Sequence, residues 1–297
     1  SKEDQSVWCD LTDMKMDEKL FLRGDGTSVY ITQDMGTADL KYQDYNLDRS
    51  IYVVGNEQEY HFKVLKGILS KMGRSYADGI FHLSYGMVDL PSGKMKSREG
   101  TVVDADDLIN DMVETARQRT MELGKIDDFS DEEAQELFLQ LALGALKYYL
   151  LKVDPKKRMM FNPEESIDFQ GDTGVFIQFT HARISALLRT AKEMNIDFVD
   201  LTGVELDKLS EFEVKVIEIL SEYKKKIADA ADKYAPSVIA QYCYDLAKSF
   251  SRMYSELPIF KNVSSEEQKL RLAIAYSTAK TLKEGLSLLG IEAPERM

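Results

Sequence analysis

The pattern of apolar and polar positions changes character along the chain. In the first third it comes in short runs. Ser28-Val29-Tyr30-Ile31-Thr32, Ser50-Ile51-Tyr52-Val53-Val54 and Gly79-Ile80-Phe81-His82-Leu83-Ser84-Tyr85 are rich in β-branched and aromatic residues, the composition of strands. Between the last two, Phe62, Leu65, Leu69 and Met72 recur at helical spacing. Strand, helix, strand in that order predicts a parallel α/β unit, whose functional groups gather at the carboxyl ends of the strands. Gln33-Asp34, Asn56-Glu57-Gln58 and Met87-Val88 follow the three strands.

From about residue 104 the strand pattern stops. Asp104 to Leu123 reads as a helix, and Ser130-Asp131-Glu132-Glu133 is a capping-box pattern opening an apolar helix that runs to Lys152. A loop with Pro155 and Pro163 follows. Beyond it, the spacing predicts amphipathic helices near 175–194, 207–234, 236–256 and 265–289. Pro236 suits a first helical turn, Ser264 and Glu267 form another capping box, and Gly290 fits a helix stop. The expected architecture is α/β plus all-α, with an α/β part over 1–170 and a helical bundle over 171–297.

Composition narrows the class. Hydrophobic residues make up 44% and charged residues 30% of 297, and a chain of this length buries roughly 75% of its unfolded surface, which excludes intrinsic disorder. No apolar run approaches the ~18–20 residues of a membrane span; Phe138 to Leu146 is short and interrupted by Gln140. The charge-dense first twenty residues read as no export signal. Cys9 and Cys243 match no metal or redox spacing, so a reducing, cytoplasmic setting is expected. The net charge of −13 weakens a nucleic-acid reading, since phosphates call for neutralisation. It is unevenly spread, however: residues 1–170 carry a balance of −11 and residues 171–297 only −2. A local basic face on the helical part remains open.

Few motifs carry chemistry. Gly24-Asp25-Gly26 is a lone GxG and reads as a turn. His61, His82 and His181 are too scattered to propose a metal site, and a structural role suits each. In Pro91-Ser92-Gly93-Lys94-Met95-Lys96-Ser97-Arg98-Glu99-Gly100, three cations fall within five positions of a Gly/Ser-rich stretch. Such a loop suits a nucleotide polyphosphate; a solvated basic loop is the other reading. Tyr242, Tyr244, Phe250, Met253 and Tyr254 cluster in one predicted helix. A stripe of this kind is usually core, although exposed aromatics also stack unpaired RNA bases. Lys224-Lys225-Lys226 reads as a solvated helix face or a phosphate contact.

Lys94-Met95-Lys96-Ser97-Arg98 resembles the mobile KMSKS loop of class I aminoacyl-tRNA synthetases. The stretch from His82 through Tyr85-Gly86-Met87-Val88, Leu90-Pro91 and Gly93 to Gly100 is similar to the arginyl-tRNA synthetase version. Arg23 to Asp34 resembles that family's arginine-site strand, and Tyr52 to Gln58 with His61-Phe62 its next strand and helix. Gly171-Asp172-Thr173-Gly174, Gln178, His181-Ala182-Arg183 and Leu188-Arg189 resemble the entry to its helical anticodon-binding domain. Gly285 to Met297 is similar to its C-terminus.

The resemblance implies the distal half of a Rossmann-like catalytic domain over 1–170 and an anticodon-binding bundle over 171–297. The implied activity is ATP-dependent formation of arginyl-adenylate and transfer of the arginyl group to the 3′ end of arginine tRNA. No HIGH motif is present, so a C-terminal fragment, inactive alone, is expected; a non-catalytic tRNA-binding protein is the rival. Tyr30 and Asp34 are implied as binders of the arginine side chain, completed by Gln58. A carboxylate meets a guanidinium with paired, charge-assisted hydrogen bonds; an N-cap is the other reading of Asp34. His82, Met87, Val88, Lys94 and Met95 are implied at ATP, with Lys94, Lys96 and Arg98 stabilising the departing pyrophosphate. Lys96 stands where the family loop has a small hydroxyl residue and Arg98 where the class has serine. Gln178, Phe179, Arg183, Phe250, Tyr254 and Met297 are implied at tRNA. Mg2+ is expected with ATP, no resident metal or organic cofactor is implied, and a monomer that meets no membrane is expected.

Overall fold

The computed structural model describes residues 2–89, 104–122, 126, 128–204 and 208–297. Contacts divide the chain into two compact units, Ser1–Met87 with Lys156–Arg158, and Val88–Pro155 with Met159–Met297.

The first unit opens with β1 (Val7–Cys9) antiparallel to β2 (Lys19–Leu22). Then come α1 (Tyr30–Tyr45), β3 (Ser50–Gly55), α2 (Glu59–Lys71) and β4 (Ile80–Tyr85). β3 and β4 pair in parallel, from Ser50 opposite Ile80 to Gly55 opposite Tyr85, as the strand–helix–strand pattern predicts. α2 buries Phe62, Val64, Leu65, Ile68 and Leu69 in a core shared with Leu11, Ile31, Ala38, Ala77 and Ile80. On β3, Tyr52 and Val54 join that core, while Ile51 and Val53 point the other way and stay exposed.

One predicted strand is a helix. The run Ser28–Thr32 keeps a single bridge, Ser28 to Leu22; Val29 is the extended N-cap residue and α1 begins at Tyr30. The reason is a helical stripe that outweighs β propensity: Ile31 and Ala38 are buried and Met35 packs beside them, at i, i+4 and i+7. Tyr30 and Asp34 therefore lie one turn apart on a helix, not at the end of a strand.

The second unit holds β5 (Val88–Asp89) paired in parallel with β6 (Met159–Met160), α3 (Ala105–Glu122), α4 (Asp131–Leu151) and α5 (Pro163–Ser166). The bundle proper adds α6 (Gly174–Glu193), α7 (Glu211–Ser221), α8 (Tyr223–Lys233), α9 (Pro236–Glu256) and α10 (Ser265–Leu288). Both predicted capping boxes form, Ser130 with Glu133 and Ser264 with Glu267, and Ser210 with Glu213 makes a third. Pro236 occupies the first turn of α9, and Gly290 follows α10 at φ 68°.

The single helix expected over 207–234 is broken at Glu222. Two carbonyls that would continue it are taken by side chains: the Ser221 hydroxyl donates to Glu218 O at 2.7 Å and the Tyr242 hydroxyl to Ile219 O at 3.0 Å. The Glu222 amide closes the last turn on Ile219 instead, and α8 restarts at Tyr223, whose ring stacks on Tyr242 at 5.5 Å. The bundle core runs through Ile177, Ile184, Val216, Leu246, Phe250, Leu272 and Leu282. Within it, Arg271 binds Glu213 at 2.8 Å and Glu267 at 3.1 Å and donates to Pro258 O at 2.7 Å. The two carboxylates are the capping-box acids of α7 and α10, so one buried guanidinium ties both helix starts together. Among the described residues, no helix is long and apolar enough to cross a membrane.

Candidate functional site

In the first unit, α1 presents Tyr30, 84% exposed, and Asp34 one turn later. α2 presents His61 against it, with Nε2 at 2.6 Å from Asp34 Oδ2. The His61 ring is itself fixed edge-on to Phe62, at 5.6 Å and 87°. A carboxylate carries about four lone-pair sites, so this bond orients Asp34 and leaves capacity on both oxygens for a planar donor. Asp34 is not an N-cap; it lies within the first turns of α1. Gln58 is exposed on the short 3-10 turn, Asn56–Gln58, that joins β3 to α2. His61 is the residue that sequence reasoning left out of the site. It lies 27 positions from Asp34, and no local spacing announces a contact between two helices.

His82 sits in β4. Its Nε2 donates to Val54 O at 2.9 Å, and its ring stacks on Phe62 at 4.5 Å. It lines an open cleft of about 440 Å3 with Asn56, Lys63, Lys66, Ser84 and Lys156. Gly86 follows the strand, and a Cβ there would lie 2.3 Å from Lys157 O; only glycine admits that backbone approach. Met87 then follows with its side chain exposed, and Val88 begins β5. Lys94, Met95, Lys96 and Arg98 lie outside the described residues.

In the second unit, α6 and α9 bring together residues 71 positions apart in sequence. The Arg183 guanidinium lies 4.6 Å from the Phe179 ring centre and 5.4 Å from that of Tyr254. Phe179 and Arg183 are i, i+4 on α6, Phe250 and Tyr254 i, i+4 on α9, and each helix turns one such pair toward the other. Phe169 meets Phe179 edge-on at 6.2 Å, and Phe250 lies stacked under Tyr254 at 6.4 Å. The outcome is a cation held between two rings, a flat surface that stacks on π systems.

Two expected contact residues are corrected here. Gln178 and Phe250 are both 0% exposed. Gln178 sits at a close crossing of α4 and α6, where a Cβ on Gly144 would meet its side chain at 2.5 Å. Phe250 belongs to the bundle core. Neither has an exposed face; each packs beneath partly exposed neighbours. Met297 packs against a buried cluster containing Met112, Leu141 and Phe161, and so does Phe169. The tyrosines and Met253 of α9 divide as the helical period dictates: Tyr242 and Met253 are buried, Tyr254 is 37% exposed. Cys243 is buried as well, and that burial pushes its thiol up to about 12, so it is chemically inert.

Comparison with known proteins agrees with both parts. A family model described as "tRNA synthetases class I (R), catalytic domain" matches residues 4–162, and one described as "DALR anticodon binding domain" matches residues 177–297. The arginine–tRNA ligase of Amoebophilus asiaticus is 56% identical over 296 residues and that of Phocaeicola vulgatus 52%, each covering 100% of this chain. The chain spans about half the length of these curated relatives, 50% and 49%. Thermus thermophilus arginyl-tRNA synthetase superposes with a TM-score of 0.84 at 25% identity, over 98% of this chain and 54% of that one. The Plasmodium falciparum enzyme shares the fold at a TM-score of 0.80 and 19% identity, over 100% and 49%.

Proposed function

The chain belongs to the class I arginyl-tRNA synthetase family, and from that premise we propose that it supplies part of an arginine-activating site and the tRNA-reading domain of an arginine–tRNA ligase. The observation that carries the reading is the Phe179–Arg183–Tyr254 stack, a cation and two rings held partly exposed on two helices of the matched anticodon-binding region. Aromatic and guanidinium planes are how proteins hold unpaired RNA bases.

In this reading residues 171–297 bind arginine tRNA through Phe179, Arg183, Tyr254 and Met297. Asp34, oriented by His61, accepts paired hydrogen bonds from the arginine guanidinium, with Tyr30 and Gln58 completing the pocket. Lysine cannot make that paired contact, so discrimination against it is large. The arginine carboxylate attacks the α-phosphate of ATP, releasing pyrophosphate, and the ribose at the tRNA 3′ end then takes the arginyl group from the adenylate. His82, Met87 and Val88 flank the nucleotide, while Lys94, Lys96 and Arg98 offset charge on the leaving pyrophosphate. Mg2+ accompanies the polyphosphate and neutralises part of its charge. The setting is cytoplasmic and the ligase a monomer.

The test is a filter-binding titration of this chain with arginine tRNA and an unrelated tRNA at 50 and 200 mM salt. Tighter binding of arginine tRNA at both concentrations supports the reading. Stacking depends little on salt, so the affinity should fall by well under the ~10³–10⁵ that 6–10 phosphate contacts would lose. Equal and steeply salt-dependent binding of the two RNAs would overturn it.

A further inference from the structure

After α10 the last residues, 289–297, run without helix or strand, yet Leu289, Ile291 and Pro294 are buried. A buried segment with no ladder partner must satisfy its carbonyls by other means. Here side chains do so. Lys147 Nζ of α4 donates to Gly290 O at 2.5 Å, Gln178 Nε2 to Glu292 O at 2.8 Å and His181 Nδ1 to Pro294 O at 2.9 Å. These carbonyls recur every second residue, the spacing at which an extended chain turns the same side outward. Arg189 donates to Glu295 O at 3.1 Å, and Arg296 returns to Asp128 O at 3.0 Å while lying over the Phe129 ring. The segment ends with Met297 packed against the buried cluster of Met112, Leu141 and Phe161, on which Phe169 packs as well, and Phe169 braces Phe179 edge-on.

Gln178 and His181 stand apart among these anchors because they are 0% and 3% exposed. A buried amide or imidazole is costly unless its hydrogen bonds are made. Gln178 divides its two donors between Gln140 O of α4, at 3.1 Å, and the terminal segment. One side chain of α6 therefore ties a neighbouring helix and the chain end to the helix that carries Phe179 and Arg183. Neither residue lies on the outer face of the stack.

We propose that Gln178 and His181 are positioning residues for tRNA binding, which clamp the C-terminal segment so that Met297 and Phe169 hold Phe179 and Arg183 in register with Tyr254. This rests on the anticodon reading above. The anchors grip backbone carbonyls, so the segment acts as a strap whose placement matters more than the identity of its middle side chains.

The test is a double-mutant cycle on the full chain, read as affinity for arginine tRNA and for an unrelated tRNA. His181→Leu should weaken arginine tRNA binding about tenfold, the scale of coupling between residues of one network, and leave the unrelated RNA unchanged. His181→Asn, whose amide can donate to the Pro294 carbonyl, should restore most of the loss. With Met297→Ala already in place, His181→Leu should cost less than about twofold, because the residue it positions is gone. Additive losses, or equal losses for both RNAs, would overturn the proposal. Gln178→Met, close in shape and without donors, gives the same readings should His181→Leu fail to fold. An unmodified chain that binds both RNAs alike would overturn the anticodon reading and this inference with it, whereas selective binding that ignores His181 and Gln178 sinks the inference alone.

Discussion

At the scale of single residues, the chemistry depends on partners that orient side chains already suited to their task. Asp34 has the charge and geometry for a guanidinium, and His61 fixes its direction at 2.6 Å. Tyr254 has the ring for a base, and Arg183 and Phe250 fix its plane. The two sites should therefore separate by mutation. With this sequence carried in a full-length ligase, Asp34→Asn should raise the KM for arginine in pyrophosphate exchange at least tenfold, since a charge-assisted bond is worth about 1.5–3 kcal/mol, without changing tRNA affinity. Tyr254→Ala should cost about 1–3 kcal/mol of tRNA binding and leave the arginine KM alone. Equal effects of both changes on tRNA affinity would refute the division.

His181 adds a pH dependence of known sign. Burial holds its imidazole below the ordinary value of 6.5; the nearby Lys283 acts in the same direction, while the Pro294 carbonyl and Glu295 oppose it. The unfolded chain then binds the proton more readily than the folded one. Stability from this group is full above pH 6.5 and drains as the pH falls through the lower folded value. Thermal unfolding should shift to lower temperature between pH 7 and 5, and His181→Asn should flatten that part of the curve. An unchanged slope in the variant would assign the acid sensitivity elsewhere.

At the scale of elements, periodicity and caps set where helices begin, and side-chain competition for carbonyls sets where one of them breaks. The boxes at Ser130 and Ser264 are visible as letters because a cap needs only residues three apart. The break at Glu222 is not visible, because Tyr242, which takes Ile219 O, comes from another helix. The helix start at Tyr30 is hidden for a related reason: a β-branched run becomes helical when Ile31, Met35 and Ala38 have a core to fill. Glycine inside α4 marks a close crossing rather than flexibility. Gly144 faces Gln178, and its own carbonyl lies 2.4 Å from where a Cβ on Gly174 would be. Gly144→Ala gains up to about 1 kcal/mol of helix propensity but forces the Gln178 amide off its carbonyls. A net destabilisation of about 1–3 kcal/mol is expected by denaturant titration, and a stabilised variant would contradict the crossing described.

At the scale of the whole molecule, packing draws its border earlier than the sequence pattern does. The strand-like pattern stops near residue 104, the expected domain border lies at 170, and the catalytic-domain model extends to residue 162. Burial places α3 and α4 with the helical unit from Val88 onward, because Met112, Ala116, Leu137 and Leu141 share a cluster with Val175 of α6. Charge is spread just as unevenly: the last 127 residues are nearly neutral in a chain of net charge −13, so an anion nearing Arg183 or the lysines of α8 meets little bulk repulsion there.

What the sequence determined by itself is local or periodic: the parallel strand–helix–strand unit, the capped helices of the bundle, the stop at Gly290, and motifs whose residues stand close together in the chain. These are legible because each depends on spacings of two, three or four residues. Tertiary structure alone decided which members of those motifs are buried and which stay exposed. Gln178 and Tyr254 are both implied at tRNA by the family resemblance, yet one is sealed between α4 and the chain end and the other is open beside Arg183. The pairing of Asp34 with His61 and the anchoring of residues 290–295 by α4 and α6 likewise join positions 27 to 143 apart. Such contacts are fixed by how amphipathic faces pack, and no periodicity along a single strand or helix encodes that choice.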